Sequence, residues 1–187
     1  MKKVCIFLSE GFEEVEAITV IDLLRRAKIE VVIISISENV QITGRSGIKV
    51  LTDHTMRELD ISNCDGIILP GGMPGTENLY SDKKLCESIV KFNNEGKLIA
   101  AICAAPVIFG RLGLLNGRRA CCYPGMESEL TGAVIEENSV ASDGNIITSK
   151  GVGTAIDFSK ALIEYLAGIE KAREVMESIV YKNGCNI

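Results

Sequence analysis

The sequence contains a single histidine, His54, no tryptophan, and no CxxC pair among its seven cysteines. Zinc sites are built from cysteine and histidine ligands at short spacings, so nothing here favours a metal centre. The cysteine count is odd, and the adjacent Cys121 and Cys122 are poorly placed to bridge each other. This pattern is typical of a reducing compartment rather than a disulfide framework. We interpret His54 as a solvent-exposed surface residue.

Long apolar runs and an excess of positive charge are also missing. No stretch approaches the length of a transmembrane span, and the apolar start at 4–8 ends at Ser9-Glu10-Gly11 without a signal-peptide cleavage site. The net charge of −5 provides no basic field to hold nucleic acid or an anionic membrane. We therefore expect a cytoplasmic protein with neither a nucleic-acid nor a membrane partner.

Nucleotide-binding signatures are absent as well: there is no G-x-G-x-x-G fingerprint and no G-x-x-x-x-G-K-[ST] loop, so we expect no cofactor. What is present is an ordinary globular composition. The 187 residues are 47% apolar and 24% charged, enough for one domain over 1–187 with its own core.

Strand and helix patterns alternate along the chain. Apolar runs predict strands at 4–8, 30–36, 65–69 and 98–102, and helical spacing predicts helices at 12–27, 79–94, 107–115, 154–167 and 169–181. Smaller elements are hairpins at 40–50 and 139–149, a short strand at 119–123 and a helical turn at 126–130. Alternation of this kind predicts an α/β sandwich in which helices cover both faces of a mostly parallel sheet.

The first helix carries three acidic residues near its start. Glu13 and Glu16 share a helical face, and we expect Glu14 to point away from it. We interpret Glu13 and Glu14 as charges that suit the helix dipole, whereas apolar neighbours predict burial and a raised pKa for Glu16. The predicted buried stripe of this helix is Val15, Ile18, Ile21, Leu24 and Ala27.

Cys103 lies where the strand at 98–102 turns into a helix. The small residues of Ala101-x-Cys103-x-Ala105 suit a sharp strand-to-helix elbow, which bulky neighbours would obstruct. The first N–H groups of the helix are expected to favour a thiolate at Cys103. The alternative is a buried cysteine that acts as a small apolar side chain, an interpretation we adopt for the other six cysteines.

Ligands of parallel α/β sheets lie beyond the carboxyl ends of the strands. Ser9-Glu10-Gly11, Pro70-Gly71-Gly72 and Cys103 all fall at that edge. The glycine pair is either a simple turn or, with the Ala104 N–H, a site for an oxyanion. A buried, protonated Glu16 near a thiolate could exchange protons with a substrate.

Four motifs occur in order along most of the chain. They are Glu13-Glu14-x-Glu16, Leu69-Pro70-Gly71-Gly72-x-x-Gly75, Ala100-Ala101-Ile102-Cys103-Ala104-x-Pro106 and Thr148-Ser149-x-Gly151-x-Gly153-Thr154. Together they resemble the ThiJ/PfpI superfamily, and within it the branch of the parkinsonism-associated deglycase.

This resemblance implies a flavodoxin-like three-layer α/β/α sandwich and a homodimer formed through the first helix. It also implies a nucleophilic Cys103 at a strained elbow, a Glu16 that hydrogen-bonds the thiol, and oxyanion-binding amides at Gly72 and Ala104. Activities attributed to the family are cofactor-independent glyoxalase III-type conversion of methylglyoxal to lactate, removal of early glycation adducts, oxidative-stress sensing and chaperone-like holding.

The sequence departs from the family pattern at Tyr123, where close members carry a histidine. Tyrosine can hydrogen-bond a substrate oxygen but is a poor base near neutral pH, so acid–base chemistry falls to Glu16. Tyr123 and Gly71 are candidate substrate contacts. Protease and amidotransferase branches are disfavoured, because Ala104 replaces the histidine that follows the protease cysteine and no histidine follows His54. An enzyme acting on 2-oxoaldehydes or glycated substrates, a Cys103-based redox sensor or chaperone, and an inert member stay open as alternatives.

Overall fold

The computed structural model describes residues 1–57 and 60–181; Cys185, one of the cysteines interpreted above, lies outside them. The strands are β1 (Lys3–Leu8), β2 (Glu30–Ser35), β3 (Gln41–Thr43), β4 (Lys49–Leu51), β5 (His54–Thr55), β6 (Gly66–Leu69), β7 (Leu98–Ile102), β8 (Arg119–Ala120), β9 (Val134–Ile135), β10 (Val140–Asp143) and β11 (Ile146–Ser149). The α-helices are α1 (Glu14–Arg26), α2 (Gly75–Ser81), α3 (Lys83–Asn94), α4 (Pro106–Arg111), α5 (Ala155–Ala167) and α6 (Ile169–Ser178).

Seven of these strands form the central sheet in the order β10-β11-β7-β6-β1-β2-β5. All neighbouring pairs run parallel except the β10–β11 hairpin. The register pairs Leu69 with Ala101 and Ile102 with Ser149, which brings the carboxyl ends of β6, β7 and β11 to one edge.

Strand β1 shows how one apolar run serves two cores. Val4, Ile6 and Leu8 pack with α1, α5 and α6 on one face, and Cys5 and Phe7 pack with α3 and α4 on the other. Successive side chains of a strand point to opposite faces, so a fully apolar run suits a sheet covered on both sides. The predicted three-layer α/β/α sandwich is confirmed.

The predicted helix at 79–94 is two helices in the structure. The chain breaks at Asp82, whose side chain accepts a hydrogen bond of 2.9 Å from the Leu85 N–H and so caps α3. An aspartate oxygen can satisfy the free N–H groups of a helix start, so it favours a boundary over a continuous helix.

Helix α4 is shorter than the predicted 107–115, because the chain turns after Arg111 and Gly113 adopts a φ of 71°. The short strand at 119–123 covers only Arg119–Ala120, and it pairs with β9, a strand that the sequence pattern did not predict. The turn at 126–130 is a 3₁₀ helix at Glu127–Glu129. His54 is exposed, as expected, although it begins an edge strand of the main sheet.

The predicted buried stripe of α1 is wrong at two positions. Val15 and Ile18 are 50% and 44% exposed, and Ala27 follows the helix end. The buried apolar residues of the helix are Ala17, Val20, Ile21, Leu23 and Leu24. The helix is therefore rotated from the predicted orientation, which leaves an apolar strip in solvent.

Within the described parts of the chain, no helix is both long enough and apolar enough to cross a membrane.

Candidate active site

Cys103 stands at the corner between β7 and α4 with a φ of 65°. Its backbone N–H donates to the Ser149 carbonyl over 3.0 Å, and its own carbonyl accepts from the Tyr123 N–H over 2.7 Å. The left-handed conformation costs a side-chain-bearing residue about 1–2 kcal/mol, so these flanking bonds hold the corner in place. Strain of this kind is concentrated at functional sites in proteins.

Small residues make room for the corner. Ala101 and Ala105 are fully buried beside it, and a Cβ atom on Gly71 would stand 2.6 Å from the Cys103 Cβ and 3.0 Å from Glu16 Oε2. Position 71 therefore accepts only glycine without displacing the thiol or the carboxyl.

Glu16 reaches this corner from α1 and is fully buried. Its Oε2 accepts a hydrogen bond of 2.8 Å from the Gly71 N–H. Among the described residues, its Oε1 has no hydrogen-bond partner that meets ordinary geometric limits. Burial raises the pKa of Glu16 to about 7, against the opposing influence of the Gly71 N–H and the Cys103 thiol.

The pKa of Cys103 is raised to about 12, first by burial and then by the charge of an ionised Glu16. The backbone N–H groups of Ala104, just before α4, and of Gly72, in the turn after β6, lower this pKa, but they do not outweigh the other two causes. The expected influence of the helix N–H group is therefore present, but it does not by itself bring the pKa of Cys103 below its ordinary value. Glu16 and Cys103 form a pair that releases one proton near neutral pH and resists losing the second.

Two loops are locked together beneath the thiol. The Gly71 carbonyl accepts from the Glu13 N–H over 2.9 Å, and Gly72 has a φ of 93°. A Cβ atom on Gly72 would stand 2.5 Å from both the Glu13 N and the Gly11 carbonyl oxygen. Because residue 72 is glycine, the backbone can approach closely enough for the Gly72 N–H to hydrogen-bond the Cys103 sulfur.

The other acidic residues of the first helical turn have roles that the sequence did not indicate. Glu14 is buried: its Oε1 accepts from the Ser46 N–H at 2.7 Å and the Ile48 N–H at 3.3 Å. Burial alone would raise the pKa of Glu14, but hydrogen bonds from backbone N–H groups lower it overall. Gly44 lies against the same carboxyl, since a Cβ there would be 2.3 Å from it. Glu14 therefore anchors the β3–β4 hairpin.

Arg45 enters the site from that hairpin. Its Nη1 lies 3.5 Å from Glu13 Oε2, and its positive charge lowers the pKa of Glu16. Sequence reasoning missed it, because Gly44 and Gly47 identified only a turn and nothing local distinguishes this arginine from other surface arginines.

Tyr123 borders the corner and is 52% exposed. Its ring lies 3.6 Å from where a Cβ on Gly151 would stand, and the same point is 4.0 Å from Glu16 Oε1. Thr154 holds this loop, because its Oγ1 accepts from the Gly151 N–H at 3.1 Å and lies 2.7 Å from the Ser149 Oγ. The structure thus gathers Cys103, Glu16 and the predicted Gly71, Gly72, Ala104 and Tyr123 at one edge of the sheet.

A flavodoxin-like sandwich with a cysteine at a strained elbow and a buried glutamate against it defines a recognisable class of protein. Residues 2–165 match the model of the DJ-1/PfpI family, and the chain belongs to that family.

The relatives agree with this assignment. Protein DJ-1 homolog B of Arabidopsis thaliana is 42% identical over 97% of this chain, and Protein dj-1beta of Drosophila melanogaster is 32% identical over 96% of it. The matched region is 97% of the Drosophila protein but only 42% of the Arabidopsis one, so the chain spans less than half the length of that relative. Among solved structures, oxidized Toxoplasma gondii DJ-1 superposes with a TM-score of 0.94 at 34% identity, covering 98% of this chain and 100% of that one.

Proposed function

We propose that this protein is a cofactor-independent enzyme that converts methylglyoxal to lactate, with Cys103 as nucleophile and Glu16 as acid–base group. The observation that carries the proposal is the pairing of a buried carboxyl, of pKa about 7, with a thiol held at a strained elbow. A group that titrates near the working pH is present in both protonation states, as a proton shuttle requires.

Hydrogen bonds favour placing the pair's single negative charge on sulfur. A Cys103 thiolate would receive the N–H groups of Gly72 and Ala104 and an O–H from Glu16, three donors in all. A Glu16 carboxylate would receive only the Gly71 N–H and the thiol S–H. Hydrogen bonds to the charged form stabilise it, so we expect the pair to hold its charge as acid and thiolate, the reverse of the order in which burial places the two pKa values.

The reaction begins with attack of the Cys103 sulfur on the aldehyde carbon, giving a hemithioacetal whose oxygen takes the proton from Glu16. The Glu16 carboxylate then removes the hydrogen from that carbon, giving an enediolate whose negative charge lies on the neighbouring oxygen. The hydroxyl proton of the first carbon passes to that oxygen while Glu16 returns its hydrogen to the neighbouring carbon, so that the first carbon becomes a carbonyl. The product is a lactoyl thioester on Cys103. Water hydrolyses it, releasing lactate and the free thiol.

The Gly72 and Ala104 amides would stabilise the oxyanion that develops when sulfur attacks the aldehyde and again when water attacks the thioester. Among the described residues, neither N–H donates to another backbone oxygen. Loss of one donor of this type costs about 3–4 kcal/mol in hydrolases. Tyr123 and Gly71 lie at the rim and floor of the same corner, where they would contact the substrate.

A lactate assay with methylglyoxal tests this proposal. We expect Cys103→Ala to abolish turnover and Glu16→Gln to reduce it at least 100-fold, because the amide cannot shuttle protons. Cys86→Ser, in α3 and away from the site, serves as the matched thiol control and should keep full activity. Undiminished turnover in either site variant would contradict the mechanism. The same variants assayed on an early glycation adduct test the related deglycase activity.

A second candidate function is an oxidative-stress sensor or redox-regulated chaperone in which Cys103 is oxidised to sulfenic and then sulfinic acid. It is favoured by the partial exposure of Cys103 beside an acidic hydrogen-bond donor. Under mild peroxide, Cys103 should then oxidise at lower doses than the buried Cys121 and Cys122, as measured by mass spectrometry. Earlier oxidation of the buried thiols would exclude the sensor.

We also propose that the chain forms a homodimer through α1. The support is the exposed apolar pair Val15 and Ile18 on the helix that carries Glu16. Sedimentation at low micromolar concentration should give a dimer for the wild type and a monomer for Val15→Lys/Ile18→Lys. The control Ile169→Lys changes an exposed apolar residue on α6, which is 71% exposed, and should stay dimeric.

A further inference from the structure

Two buried thiols, those of Cys5 and Cys64, face each other outside the Cys103 site. The Sγ atoms of Cys5 and Cys64 are 2.8 Å apart, and the two residues are 0% and 1% exposed. A disulfide has an S–S distance of about 2.05 Å, so a sub-ångström movement would close the bond.

The backbone around this pair keeps the thiols together. The Asp65 N–H donates to the Lys3 carbonyl at 2.7 Å, and the Lys3 N–H donates to Asp65 Oδ2 at 2.8 Å. Cys64 is thereby fixed just before β6, beside the start of β1. The parallel sheet places these strand starts at the edge opposite the carboxyl ends, so the pair is separate from the Cys103 site.

We propose that Cys5 and Cys64 are a second oxidation site, which forms a reversible disulfide when the protein meets a hydroperoxide, independently of Cys103.

The two thiols have different parts in this reaction. The pKa of Cys64 is lowered, first by its contact with the Cys5 thiol and then by the Lys3 charge, although burial opposes this. The same contact and burial raise the pKa of Cys5, which therefore keeps its proton to a higher pH. Because the thiolate is the nucleophile, Cys64 is the attacking group and Cys5 the resolving one.

The chemistry balances with one hydroperoxide per disulfide. The Cys64 sulfur attacks one peroxide oxygen, the O–O bond breaks, and the leaving oxygen takes up the proton that Cys64 has released. With hydrogen peroxide this gives a Cys64 sulfenic acid and water. The Cys5 sulfur then attacks the Cys64 sulfur, the S–O bond breaks, and the Cys5 proton leaves with the oxygen as a second water. A thiol reductant reverses the step.

Cys121 and Cys122 provide matched internal controls, since they are as buried but lie against backbone oxygens. The Cys121 Sγ is 3.4 Å from the Thr148 carbonyl oxygen, and the Cys122 Sγ is 3.5 Å from the Tyr123 carbonyl oxygen.

The test uses the full chain, wild type and Cys103→Ala, titrated with hydrogen peroxide, alkylated under denaturing conditions and digested for mass spectrometry without reduction. We expect a Cys5–Cys64 linked peptide pair, lighter by two hydrogens, in both proteins, and its loss after dithiothreitol. Cys121→Ser should form the same link, and Cys64→Ser should leave Cys5 free for alkylation.

Three results would overturn the proposal. The first is full alkylation of Cys5 and Cys64 at peroxide doses that oxidise Cys103 in the wild type. The second is a link from Cys5 to any other cysteine. The third is loss of the link in Cys103→Ala, because the oxidation would then be relayed from the elbow rather than independent of it.

Discussion

The Gly71 N–H donates to Oε2 of Glu16 over 2.8 Å, which fixes the buried carboxyl against the elbow that carries Cys103. This single bond joins the turn after β6 to helix α1 beneath the end of β7. It also occupies one carboxyl oxygen and leaves the other to carry the proton that the proposed chemistry needs. The arrangement of the site depends on the backbone at position 71 as much as on the two reacting side chains.

Gly71→Ala should disable the site. The added methyl would stand 2.6 Å from the Cys103 Cβ, so the thiol or the carboxyl must move. We expect a loss of about 1–3 kcal/mol in unfolding free energy and roughly 100-fold in lactate formation. Gly153→Ala is the control, because a Cβ there meets nothing within 4 Å. Wild-type turnover in Gly71→Ala would show that the close approach at this turn is unimportant.

Glu16 should make stability depend on pH with a defined sign. The folded Glu16–Cys103 pair keeps both of its protons up to about pH 7, whereas an ordinary glutamate releases its proton near 4.5. The unfolded chain therefore ionises first, and stability falls as pH rises through this window, by at most roughly 3 kcal/mol. Urea unfolding of the wild type and Glu16→Gln across this range should show the decline only in the wild type. Equal slopes would contradict the raised pKa.

Glu14→Ala should destabilise the protein through the β3–β4 hairpin. It removes the charged acceptor of the Ser46 and Ile48 N–H groups, and a hydrogen bond to a charged group contributes about 1.5–3 kcal/mol. Chemical denaturation measures this loss. Glu10→Ala is the matched control, since it breaks one exposed contact of 3.2 Å with the Thr43 N–H and should change stability by less than about 0.5 kcal/mol. Similar losses in both variants would mean that Glu14 has no special anchoring role.

Glycine at position 103 should relieve the backbone strain at the elbow. At a φ of 65°, Cys103→Gly should be more stable than Cys103→Ala by about 1 kcal/mol, because glycine adopts this conformation without steric cost. At position 105, where φ is −63°, Ala105→Gly should instead lower the stability, since glycine there only loses conformational entropy on folding. Thermal unfolding compares the variants. A less stable Cys103→Gly would show that the corner is not strained.

The layered fold and the convergence at the sheet edge follow from local signals in the sequence. Fully apolar runs such as Val4–Leu8 indicate strands that are buried on both faces. The topology of a parallel sheet then brings Gly71 and Cys103 together at one edge. Small residues on both sides of Cys103 identify the elbow for the same reason, because their effect is steric and local.

The features that the sequence did not predict depend on contacts between residues that are distant in the sequence. The orientation of α1 could not be read from its spacing, because Val15 and Ile18 satisfy the same helical period as the residues that are buried. Glu14 resembles any acidic residue at a helix start until the 44–48 loop folds over it. Likewise, the raised pKa of Cys103 depends first on burial and then on the charge of Glu16, a residue far away in the sequence whose contact only the fold provides.

The most direct test of the account is a pH titration of Cys103, followed by thiolate absorbance or by the rate of alkylation, in a variant whose other cysteines are replaced by serine. We expect the thiolate to form when the Cys103–Glu16 pair loses its first proton, so that it is present at neutral pH while Glu16 keeps its proton. A thiol that stays protonated through neutral pH and ionises only near pH 12 would place the charge on Glu16 and contradict a nucleophilic Cys103.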